Sequence, residues 1–119
     1  MRPTRFVISC CLEDEDGRSV SFSMREFIAL SDNTRLLIRD DRGWSSGVNG
    51  DNDQWQYKTA DGICSTARNL WEIYLDEAGG LAWVLPILHY HGITSAAVDL
   101  EALPVEVELS REILDRVRA

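Results

Sequence analysis

The sequence has no Lys or Arg between Arg68 and Arg111, an interval that holds seven carboxylates: Glu72, Asp76, Glu77, Asp99, Glu101, Glu106 and Glu108. A phosphate backbone is bound by several cationic side chains on one surface, so this third of the chain excludes a nucleic-acid partner for itself. Its negative potential instead favours and steers a basic partner. Long apolar runs are lacking too. The longest, Gly79 to Leu88, falls well short of the roughly 20 residues that a membrane-spanning helix needs, so no membrane partner is expected. Cysteine is scarce and odd in number, with Cys10 and Cys11 adjacent and Cys64 alone. That is a poor disulfide framework and suits a reducing compartment. The first residues begin basic but alternate apolar and polar, and Glu13 to Asp16 follow, so no secretory leader is expected there. These absences point to a cytoplasmic protein.

What is present is ordinary for a globular chain. The 119 residues are 45% hydrophobic and 27% charged with a net charge of -8, and one domain spanning residues 1–119 is expected. Of the twelve cationic residues eleven are Arg, so ion pairs formed here can be bidentate.

Apolar side chains at Phe6, Ile8, Cys10 and Leu12 alternate with polar ones, which predicts a strand over 5–12. The two adjacent cysteines of such a strand point to opposite faces. Glu13 to Gly17 reads as a turn, and Val20 and Phe22 continue the alternation over 18–23, completing a β-hairpin. Ser23-Met24-Arg25-Glu26 fits a capping box, which predicts a short helix through Leu30. The competing reading makes Phe27 to Leu30 a strand, with Ser31 to Thr34 as its turn. A third strand is expected over 35–39. Asp40 to Gly62, rich in Gly, Asp, Ser and Asn, reads as loop, with Gln54 to Lys58 as a short edge strand at most.

From Asp61 the period changes to three and four. Ile63, Ala67, Leu70, Trp71, Tyr74 and Ala78 predict an amphipathic helix over 63–78, capped by Asp61 or Ser65 and stopped by Gly79-Gly80. A second, deeply buried helix is expected over 81–91, kinked or restarted at Pro86 and ended by a Schellman stop at Gly92-Ile93. A helical turn over 99–103, a strand over 105–109 with Glu106 and Glu108 on one face, and a short helix capped by Ser110 complete the pattern. The expected fold is α+β: an antiparallel sheet of about four strands, packed on one face by the two main helices, plus the short C-terminal helix.

Site motifs are weak. Asn49, Asp51 and Asp53 open like an EF-hand loop, but Gln54 replaces the required Gly and Ala60 the bidentate Glu, so this is a solvated turn. His89 and His91 diverge around a helix and have no spaced partners, so no metal is expected; the last helical turn accounts for them. Gly43 to Gly47 shares only composition with a nucleophile elbow, and no phosphate-binding glycine loop occurs. Cys64, near a helix N-terminus, is the one candidate for a lowered thiol pKa. No catalytic residue and no cofactor is assigned.

Three functions follow. The first is a non-catalytic, acidic protein-binding module of the physical type of bacterial immunity proteins that block basic nucleases, although no motif marks such a family. Glu72, Asp76, Glu106 and Glu108 would steer the partner, with Trp44, Trp55 or Tyr57 as anchors. The second is a small-ligand or carbohydrate-binding domain using the aromatic stretch Trp44 to Tyr57, although rings there also serve to pin a loop to the body. The third is a small enzyme whose carboxylate or Cys64 chemistry is unrecognised.

Overall fold

In the computed structural model, residues 1–15, 19–47, 55 and 58–117 are described. Three long strands, β1 (Pro3–Glu15), β2 (Ser19–Leu30) and β3 (Arg35–Gly47), run as an antiparallel meander. Helices α1 (Ala60–Ala78), α2 (Val84–Tyr90) and α3 (Ala97–Glu101) follow, then strand β4 (Val105–Leu109) and helix α4 (Arg111–Arg116). The sheet order is β3-β2-β1-β4. The α+β architecture with a four-stranded sheet is as expected, but β4 lies parallel to β1. A parallel neighbour requires a long crossover, and the helical segment between β3 and β4 supplies it. Among the described residues no helix is long and apolar enough to cross a membrane.

The helix expected after Ser23 is not formed. The period of two that begins at Val20 continues through Phe22, Met24, Glu26, Ile28 and Leu30, all of them buried. A central strand that buries six alternate side chains outweighs one local cap, because strand preference is decided by packing on the pleated surface. The competing reading describes the turn: Asn33 takes a positive φ of 69°, and the Asp32 carboxylate accepts from the Thr34 amide at 3.0 Å. β3 also runs past the expected end at Arg39, to Gly47. Its last turn-like residues are held as strand because Trp44 stacks on Phe22 across the ladder, with ring centroids 4.7 Å apart. The EF-hand-like stretch, and most of Gln54 to Lys58, lie outside the described residues.

α1 buries Ile63, Ala67 and Trp71, the stripe expected from the sequence. Its N-cap is Thr59, outside the two caps foreseen, and its hydroxyl accepts from the Gly62 amide at 3.0 Å. Gly79 and Gly80, both at positive φ, stop it. α2 is shorter than the expected 81–91 and buries one face only: Val84 and Leu88 are inside while Tyr90 is 86% exposed. Pro86 is its third residue, where the missing N–H would have had no intrahelical acceptor, so no kink results. The Schellman stop is formed, with the Gly92 amide donating to the His89 carbonyl and Ile93 to Leu88, each at 2.9 Å. Ile93 is buried.

The core lies on one face of the sheet, where Phe6, Ile8, Phe22, Met24 and Ile28 meet Trp71, Leu88, Leu100 and Ile113. On the opposite face Arg5 pairs with Glu106 at 2.9 Å and Arg35 grips Glu108 with both terminal nitrogens. Glu15, at the end of β1, accepts from both Trp55 (3.0 Å) and Arg116, tying that end of the hairpin to α4.

Candidate functional site

A cavity of about 350 Å³ opens where the C-terminal end of α1 meets α3 and the start of β4. Its floor is apolar. Phe6 from β1, Trp71 from α1 and Leu100 from α3 are buried there, with Leu75, Leu103 and Val105 as half-buried walls. Phe6 and Trp71 pack ring to ring, centroids 5.1 Å apart. Two exposed carboxylates, Asp76 and Glu101, stand at its mouth. A Cβ placed on Gly80 would lie 3.8 Å from the Glu101 Oε1, so that carboxylate sits over the glycine stop of α1.

The local sequence explains why the mouth is negative. The last turn of α1 contains no basic residue, and the helix end already carries about half a negative charge from its aligned peptides. Asp76 and Glu77 add to it from within, and Glu101 from α3. Among the described residues none of the three forms an ion pair. Glu72 is exposed one turn earlier, on the same side of α1 as Asp76.

The remaining candidates scatter. Glu106 and Glu108 point away from the core, because Val105, Val107 and Leu109 face into it, and both are neutralised by Arg5 and Arg35. The Arg35 guanidinium holds the Glu108 carboxyl below its ordinary value. Such a depressed carboxylate contributes stability above its unfolded pKa and loses it as pH falls through the folded one. Arg35→Gln should therefore lower the unfolding free energy measured in urea slightly at neutral pH, by less than about 1 kcal/mol for so exposed a pair. The difference from the parent should close on acidification; a difference independent of pH would show that the pair contributes nothing.

Trp55 is 8% exposed, edge-on to Phe22, and donates its indole N–H to Glu15. That pins the ring to β1 and β2. Trp44 is half-buried on Phe22, and Tyr57 lies outside the described residues. Cys64 is the fifth residue of α1, past the first turn, and burial raises its thiol pKa. Both observations argue against a lowered thiol pKa and favour the commoner reading of Cys64 as a structural cysteine. Burial pushes the Cys10 thiol up to about 12, while Cys11 is half-buried on the other face. His89 and His91 are exposed at the end of α2. Among the described residues no cluster of three His, Cys, Asp or Glu side chains could hold a metal.

One constellation was not legible in the sequence. Glu26, fully buried on the core face of β2, receives a bidentate pair from Arg39 at 2.8 and 3.0 Å. The Arg39 guanidinium lies 4.7 Å from the Trp83 ring centroid and 5.5 Å from that of Tyr74, and Arg42 lies 4.8 Å from Tyr74. Register shifts on either side of Glu26 in the β2–β3 ladder bring Arg39 and Arg42 onto the core face, as bulges re-aim side chains. Burial raises the Glu26 carboxyl, with the Arg39 hydrogen bonds and charge pulling the other way. Of the described cavities none is lined by Glu26, Arg39 or Trp83, while Arg42 lines one beside Trp44. The cluster's missed signal was Glu26 standing at an apolar position of the period-two pattern. No family model, no curated protein and no solved structure matches this chain.

Proposed function

We propose that this protein is a non-catalytic binding module that engages a basic protein at the end of α1, in the physical manner of an immunity protein. The observation that carries this reading is the convergence of Asp76 and Glu101, neither held in an ion pair among the described residues, on one apolar-floored pocket. Charged groups at a rim set the encounter rate and orientation, and a desolvated apolar centre supplies the affinity. Glu106 and Glu108, spent on Arg5 and Arg35, contribute less to such an encounter than the totals suggest.

The reading predicts a salt-sensitive complex. A partner recovered by affinity capture should bind at least about tenfold more weakly at about 300 mM salt than at about 50 mM, because the Debye length shortens across that range. The double variant Asp76→Asn, Glu101→Gln should flatten that dependence, while Glu106→Gln should leave most of it. A partner that binds equally at both salt concentrations would sink the proposal. So would a salt dependence untouched by the double variant.

A further inference from the structure

We infer that the pocket at the end of α1 recognises a short segment of the partner in which one large apolar residue stands next to a Lys or Arg. This rests on the reading above, that the partner is a basic protein, and states which part of it is read. The depth order of the pocket carries the inference. Its floor residues Phe6, Trp71 and Leu100 are buried and apolar, whereas Asp76 and Glu101 are exposed at the mouth. A single long cation inserted alone would place its charged head on the apolar floor, at a desolvation cost with no partner there. An apolar side chain inserted alone would gain the floor and leave the carboxylates as they are. A segment with both fills the floor with one side chain and lays the neighbouring cation across the mouth.

The dimensions agree. A cavity of about 350 Å³ lies at the small end of ligand-binding pockets, which run from about 300 to 1,000 Å³, and it has room for one large side chain. The electrostatics agree independently. Asp76 and Glu77 occupy the last turn of a 19-residue helix with no basic residue beside them, a placement the helix dipole disfavours. Glu101 is brought over the glycine stop from another element. The unliganded protein therefore holds a local repulsion that a bound cation relieves.

The test uses three synthetic peptides, acetylated and amidated, with Gly and Ser around a central Leu-Arg pair, an Ala-Arg pair or a Leu-Gln pair. They are titrated into ¹⁵N-labelled protein at low salt. The Leu-Arg peptide should shift the Gly79, Gly80 and Glu101 amides and the Trp71 indole with a common saturating curve, and each altered peptide should bind about tenfold more weakly. In Asp76→Asn, Glu101→Gln the Leu-Arg peptide should fall to the level of the Leu-Gln one. That variant should melt no lower than the parent, since charge was removed from an unfavourable helix end, so lost binding would not reflect lost folding. Equal binding of the three peptides, or shifts centred elsewhere, would overturn the inference. If the peptides fail at the pocket while a captured partner still shows the salt dependence set by Asp76 and Glu101, the binding function stands and the pocket assignment falls. If that dependence is missing as well, both fall.

Discussion

Replacing Arg39 with Met should destabilise the protein by about 3–5 kcal/mol at neutral pH, the cost of leaving a buried charge without its partner. Glu26 is fully buried, and Arg39 supplies both of its short hydrogen bonds. Without the guanidinium the carboxylate has only the more distant Arg42 to offset its desolvation, and its pKa should rise further above the ordinary range. A group whose folded pKa is raised binds its proton more tightly in the folded state, so stability increases as pH falls through that value. The variant should therefore recover part of its loss on acidification. The double substitution Glu26→Met, Arg39→Met removes both charges and should be close to neutral, or stabilising, relative to the parent. Chemical denaturation of the four proteins across pH measures all of this. A double variant as unstable as the single one would show that the loss does not come from the unpaired charge of Glu26 but from contacts of Arg39 itself, its stacking on Trp83 and Tyr74 among them.

Gly43→Ala should cost about 3 kcal/mol, near the upper end for single substitutions. A Cβ at Gly43 would stand 2.2 Å from the Phe22 carbonyl oxygen and 3.3 Å from both the Phe22 carbonyl carbon and the Ser23 Cα. All three are backbone atoms of β2, and none can rotate aside. The strands would have to part where Phe22 stacks on Trp44 and meets the edge of Trp55, so tryptophan emission should shift to the red as the melting point falls. Gly62→Ala is the control. There the nearest atom is the Thr59 Oγ1 at 3.1 Å, and helix propensity favours Ala over Gly by about 1 kcal/mol, so its net effect should be small. Equal losses at both positions would refute the steric account of Gly43.

Gly43 and Glu26 differ in how far the sequence reveals them. Nothing local distinguishes Gly43 from Gly47 or Gly50 in a stretch that reads as loop; the contact that fixes it comes from β2, about twenty residues earlier. Glu26 was visible, but it completed a plausible capping box with Ser23, and that local pattern competed with a longer one. The period of two ran from Val20 to Leu30 and included it. A cap contributes about 1 kcal/mol, whereas the five apolar side chains buried at those alternate positions contribute several times that, so the longer pattern prevails. Likewise Thr59 capped α1 where Asp61 and Ser65 were both chemically suitable, its hydroxyl accepting from the Gly62 amide.

The charge gap between Arg68 and Arg111 shows the division most plainly. That the interval is acidic, that α1 carries a buried stripe, that Gly79-Gly80 and Gly92 stop helices, and that the fold is α+β were all properties of the sequence. Each depends on residues within a few positions of one another, or on a sum over all of them. Which carboxylates remain available did not follow. Glu106 is neutralised by Arg5 and Glu108 by Arg35, partners 101 and 73 positions away, while Asp76 and Glu101 meet at one pocket mouth. Pairing is a matter of distances a few ångströms long between residues that only the packed sheet and helices bring together. The sequence by itself therefore determined the sign of the surface, and the tertiary structure decided where that sign is left exposed.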